Sequence, residues 1–106
     1  MDESFYGYDI DGVLFPCKIE LKRPCVIITG RSFQRWYETM SDLADFRDIP
    51  IYLNPVSIEQ ESLKSAAYWK AQMINDLGIT EFYEDIQEQA TIISALAPCC
   101  KVVLVI

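Results

Sequence analysis

The chain has 106 residues, 51% of them hydrophobic and 24% charged, with a net charge of −7. That length suits one domain over residues 1–106, and the apolar share is enough for a packed core and too high for disorder. The acidic balance excludes a protein that coats DNA non-specifically, the lack of histidine excludes imidazole catalysis and zinc–histidine sites, and no run of about 18 apolar residues offers a membrane span.

In chain order, MDESF has neither a basic start nor an apolar stretch behind it, so no leader is expected and the chain is placed in the cytoplasm. Residues 5–10 (FYGYDI) read as a first strand that ends in two acids, Asp9 and Asp11, followed by Gly12. Lys18, Lys22, Arg23, Arg31 and Arg35 are five of the nine basic residues and offer a local positive patch, or a solvated loop. Val26-Ile27-Ile28 is a second strand ending at Thr29-Gly30. A helix is expected over 32–47, capped by Ser32, with Phe33, Trp36, Tyr37, Met40, Leu43 and Ala44 on its packed face.

Ile51-Tyr52-Leu53 makes a third strand after Pro50. The stretch 58–77 is helical, in one or two pieces because Ser57 and Ser65 are both N-cap residues, and Gly78 stops it. Glu81-Phe82-Tyr83 is a fourth strand. Residues 86–97 form a helix with Ile86, Ala90, Ile93 and Leu96/Ala97 inward, stopped by Pro98. KVVLVI at 101–106 is a fifth strand, and its lack of alternation suits cover on both faces. Cys99-Cys100 is expected to pack at its start, and Cys17 and Cys25 are expected to stay thiols.

Strands that alternate with helices predict an open parallel α/β sheet with helices on both faces, and such sheets bind ligands at the carboxyl ends of their strands. Asp9 and Asp11, then Thr29, Gly30 and Arg31, then Glu84 and Asp85 all arrive at that edge. Acids gathered there repel unless a cation joins them, and with no imidazole or thiolate ligand the simplest ion is Mg²⁺. A carboxylate beside Mg²⁺ stays ionised and can attack phosphorus, and a second acid can move the protons. Thr29 and the Gly30 N–H can bind phosphate oxygens, and either Lys70 or Lys64 can balance the charge.

Taken singly, each feature has a plainer reading: a strand-end turn for Asp9 or Asp11, a strand-to-helix turn for Thr29-Gly30, a solvated helix lysine for Lys70, a helix cap for Glu84-Asp85. Trp36, Tyr37 and Trp69 read as packing rather than a base-stacking platform.

Together, DIDGVL at 9–14, VIITGR at 26–31, WKAQMINDLG at 69–78 and FYEDIQEQA at 82–90 resemble, in order, the four motifs of the haloacid dehalogenase superfamily of phosphohydrolases. The resemblance implies a three-layer Rossmann-like fold and a Mg²⁺-dependent phosphatase acting through an aspartyl-phosphate. Asp9 would be the nucleophile, Asp11 the general acid/base, Thr29 and Lys70 the other catalytic groups, and Gly30 and Arg31 the substrate-binding pair. Asp9, Asp11 (through its carbonyl) and Asp85 would hold the metal, with Glu84 outside them. For Thr29 and Asp85 to reach Asp9, strand one must lie between strands two and four, which gives the order 5-4-1-2-3. Arg31 after Thr-Gly is similar to polynucleotide 3′-phosphatase domains.

No segment is long enough for a cap domain, so the site is expected to be open. That points to phosphorylated partners such as nucleotide or nucleic-acid ends, or to a second copy of the chain as cover. The alternative is a silent module that keeps the fold and the metal pocket. A phosphate-receiving domain of the two-component type is disfavoured, because strand three ends in Asn54-Pro55 where such a domain puts its receiving Asp.

Overall fold

The structure is a computed structural model, and it describes residues 3–106. Met1 and Asp2, part of the MDESF segment read for a leader, lie outside the described residues. The strands are β1 (Tyr6–Tyr8), β2 (Cys25–Ser32), β3 (Ile51–Asn54), β4 (Glu81–Glu84) and β5 (Lys101–Leu104). The helices are α1 (Trp36–Asp42), α2 (Leu63–Leu77) and α3 (Gln87–Leu96). All strand pairs are parallel, in the order β3-β2-β1-β4-β5; counted from the β5 edge this is 5-4-1-2-3, with β1 central. Tyr8 pairs with Ile27 on one side and Tyr83 on the other, so Asp9 and Glu84 leave the sheet at the same level.

Period-two alternation sorts the strands onto two cores. Val26, Ile28 and Phe82 face α2 and α3, meeting Ala67, Ala71, Ile74, Ile93 and Ala97. Cys25, Ile27, Tyr8 and Tyr83 face the other way. That second face is covered by loop residues Val13 and Leu14 and by Leu43, Phe46 and Ile49 at and beyond the end of α1. Helical cover on that side is therefore slight, because the chain crosses it mostly as loop.

Local chemistry accounts for the element ends. Ser32 accepts from the Gln34 N–H and starts a 3₁₀ turn, Phe33–Arg35, that leads into α1. The 58–77 stretch is in two pieces, a 3₁₀ turn at Ile58–Gln60 and then α2. Ser62, not Ser65, is the N-cap of α2, and Ser65 returns the bond to the Ser62 N–H. Gly78 closes α2 in the left-handed region at φ 73°, which a glycine adopts without steric cost.

Several expected faces differ. Phe33, Trp36 and Tyr37 are exposed, and α1 buries Thr39 instead, because the helix packs over a buried arginine, Arg31, rather than over apolar sheet. Ile86 and Leu96 are also exposed, and α3 turns Gln89, Ala90 and Ile93 inward. β5 is an edge strand with Lys101 and Leu104 exposed, so it lacks the expected cover on both faces. Cys100 packs but Cys99 is exposed, and all four cysteines are free thiols. Among the described residues, no helix is long and apolar enough to cross a membrane.

Candidate functional site

The carboxyl ends of β1 and β2, the side of α2 and the start of α3 line a cavity of about 340 Å³, with Glu84 and Asp85 just outside its lining. Asp9, Asp11, Thr29, Gly30, Arg31 and Lys70 all line it. Asp9 is 4% exposed; its Oδ1 accepts from the Ile10 N–H at 2.8 Å and its Oδ2 lies 3.1 Å from Lys70 Nζ. Lys70 reaches in from α2 and is itself buried. Its ammonium also donates to Glu84 Oε1 at 2.7 Å and to Gln89 Oε1 at 2.6 Å. The ammonium thus makes two hydrogen bonds and one ion pair, the latter to Asp9. Lys64, the other lysine considered, is exposed on α2, so Lys70 is the lysine the fold brings to the acids.

Glu84 is fully buried, and its second oxygen accepts from the Asp85 and Ile86 N–H groups that open α3. Both of its oxygens are thus engaged by the protein. The cluster holds two carboxylates against one ammonium, a surplus negative charge in a dry place. Burial pushes the Glu84 carboxyl up to about 8, and the charge on Asp9 adds to that. Burial raises Asp9 as well, against the pull of Lys70. Burial works against the Lys70 charge, but the two acids outweigh it and hold its pKa above the ordinary lysine value.

Asp85 completes the acidic group. Asp9, Glu84 and Asp85 each offer a carboxylate oxygen, all within 4.8 Å of one another. Asp85 Oδ1 is buried with no hydrogen-bond partner. A buried carboxylate oxygen without a donor is costly, and a cation would satisfy it. The donors are all carboxylate oxygens, which suits a hard divalent ion such as Mg²⁺. Gly12 makes room for this: at φ 80°, a Cβ there would lie 1.9 Å from Asp85 Oδ2. Gly30 does the same for α2, where an added Cβ would lie 2.3 Å from the Ala66 methyl.

The second half of the site differs. The Asp11 side chain is 62% exposed and forms a two-point ion pair with Arg31, Nη2 to Oδ1 at 2.7 Å and Nε to Oδ2 at 3.1 Å. That hydrogen-bonded guanidinium holds the Asp11 carboxyl below its ordinary range. Arg31 is buried, and its Nη1 goes to Asp42 Oδ2 at 2.8 Å and to Thr39 Oγ1 at 3.4 Å. Its donors are committed within the protein, which leaves little for the expected phosphate contact. Thr29 Oγ1 accepts from the Arg31 N–H at 3.0 Å, keeping its own proton for another acceptor.

The expected positive patch is largely neutralised. Lys22 pairs with Glu81, Arg23 with Asp48, Arg31 with Asp11 and Asp42, and Arg35 with Glu38 and Glu61.

Two cavity residues with charged or amide side chains, Glu61 and Gln89, are absent from the sequence expectations, and Arg35 enters them only as part of the positive patch. Glu61 accepts from the Ser32 N–H and pairs with Arg35 at 3.1 Å, tying the loop before α2 to the end of β2. Those partners are 26 or more residues apart, and no local pattern signals them. Gln89 did leave a signal, a polar residue on the helical stripe of Ala90 and Ile93. Compared with protein-family models, with curated proteins and with solved structures, the chain matches none.

Proposed function

We propose that the chain is a Mg²⁺-dependent phosphomonoester hydrolase of the capless haloacid dehalogenase type, with Asp9 as its nucleophile. The observation that carries this reading is the buried Asp9–Lys70–Glu84 group beside the unpartnered Asp85 oxygen. A buried carboxylate whose charge a nearby ammonium offsets, beside an acid oxygen that a cation would satisfy, suits transfer of a dianionic phosphoryl group. Mg²⁺, held by Asp9, Asp85 and the Asp11 carbonyl with Glu84 outside, would neutralise charge between the carboxylates and the phosphoryl oxygens.

An Asp9 oxygen attacks phosphorus, forming an O–P bond as the ester P–O bond breaks. The leaving oxygen takes one proton and departs as an alcohol. Water then attacks the aspartyl-phosphate, gives up a proton, and releases inorganic phosphate with Asp9 restored. Thr29 donates its hydroxyl to a phosphoryl oxygen, and Lys70 offsets the charge as it accumulates. Asp11 is ionised, but Arg31 holds both of its oxygens and lowers its basicity, so accepting the proton of that water requires the pair to open. Donating to the leaving oxygen first requires it to part from Arg31 and pick up a proton.

That pairing also favours the alternative, a module that keeps the metal pocket but turns nothing over. A screen of phosphorylated nucleotides, oligonucleotide ends, sugars and peptides with Mg²⁺ decides between them. Phosphate release by the wild type, lost in Asp9→Asn and on chelation, supports the hydrolase. No release from any class supports the module.

A further inference from the structure

We propose that Gln89 is the positioning residue for the Lys70 ammonium, holding it off Asp9 without adding a third negative charge. The inference rests on the reading of Asp9 as nucleophile, but its structural core stands apart from it. Lys70 can only donate, so the oxygen of the Gln89 amide must face it, and the contact is 2.6 Å. Glu84 lies 2.7 Å from the same Nζ and Asp9 3.1 Å. Both hydrogen bonds of the ammonium are on the β4–α3 side, and its contact with Asp9 is the longer ion pair.

A carboxylate gripped tightly by an ammonium is a poor nucleophile, since attack must first break that contact. Gln89 shares the ammonium and so leaves the Asp9 oxygen more loosely held. A glutamate could accept the same bond, but it would add a third carboxylate to a group that already carries a surplus negative charge, and it would repel the phosphoryl dianion. The neutral amide gives the geometry without the repulsion. Its placement follows from the fold. Gln89 is 5% exposed on the inward side of α3, whose first residues are held by Glu84 Oε2. Glu84 therefore fixes both Lys70 directly and the helix that brings Gln89 to it.

The test compares Gln89→Met, which keeps the volume and removes the acceptor, with Gln89→Glu, which keeps the acceptor and adds charge. In lysine-¹⁵N-labelled full-length protein, the Lys70 ammonium should give a slowly exchanging ¹H–¹⁵N signal, assigned by its loss in Lys70→Met. The signal should survive in Gln89→Glu and be lost or shifted in Gln89→Met, with the melting profile showing both variants folded. With any phosphomonoester the wild type cleaves, Gln89→Met should lower kcat about tenfold or more with KM nearly unchanged, since a neighbour that orients a catalytic group is typically worth that much. Gln89→Glu should weaken inorganic phosphate binding in calorimetry. A wild-type protein without the protected signal, or Gln89→Met with both signal and kcat at wild-type values, overturns the proposal. A wild type that cleaves nothing while the ammonium signals behave as expected sinks the hydrolase reading and leaves the role of Gln89 in place.

Discussion

Two charge clusters of the same arithmetic meet at this cavity, and they behave in opposite ways. Lys70 sits between Asp9 and Glu84, and Arg31 sits between Asp11 and Asp42. Each is one cation between two acids. In the first, the acid side chains are 6% and 0% exposed; in the second, 62% and 22%. Burial then decides the direction: Glu84 is pushed up to about 8, whereas Asp11 is pulled below its ordinary value. Where water can reach the acids, the guanidinium wins, and where it cannot, desolvation wins. The dry cluster is under electrostatic tension that a divalent cation would relieve. In the proposed hydrolase the roles would divide on the same line, with metal and nucleophile on the dry side and proton handling on the wet side.

The largest expected effect comes from removing the cation of the dry cluster. Lys70→Met leaves two buried carboxylates without their cation, which typically costs about 3–5 kcal/mol, whereas Asp11→Asn removes a largely exposed acid and leaves the buried Arg31 its bond to Asp42, so the loss should be smaller. Urea unfolding of the two variants measures the contrast. Equal losses would mean that burial does not separate the clusters.

Next is the metal. Asp85→Asn keeps the shape and removes a charge, so Mg²⁺ affinity should fall by at least about tenfold with the fold intact. Titration calorimetry reads this directly, and an unchanged affinity removes Asp85 from the metal site.

The least direct contrast is a pH trend in chelated protein. The Glu84 carboxyl is raised in the folded state, from 4.5 to about 8. The folded protein therefore binds more protons than the unfolded chain across that window, so stability falls as pH rises through it. Asp11 works the other way: its folded value is lowered, so its contribution is present above the unfolded value and lost as pH falls through the folded one. Thermal melts at several pH values should show the decline towards pH 8 in chelator, and Mg²⁺ should flatten it. A stability that rises through the same window in chelator contradicts the tension assigned to the dry cluster.

The strands and their polar ends were legible because they are local. FYGYDI, VIITG and FYED each combine an apolar run with a polar stop, and parallel pairing brings those stops to one edge. Gly78 as a helix end was legible for the same reason. The buried side of α1 was not. Its aromatic stripe has the right period, but what lies beneath it is Arg31, which sequence places on a strand without saying that its guanidinium turns back under the helix. The resemblance favours Lys70 over Lys64, while the residues alone leave both open, and the packing of Ala66 on Gly30 fixes which face of α2 looks inward. The lock between Asp11 and Arg31 is not legible in the sequence either, because the partners lie 20 residues apart and no local pattern pairs them.

Beryllofluoride binding to Asp9, followed by ¹⁹F NMR, tests the central claim most directly because it needs no knowledge of the substrate. Beryllofluoride mimics a phosphoryl group on a carboxylate. With Mg²⁺ present, the wild type should give a bound signal that disappears on chelation and is absent in Asp9→Asn. A wild type with no bound signal, or a signal that persists in Asp9→Asn, contradicts Asp9 as the phosphoryl acceptor.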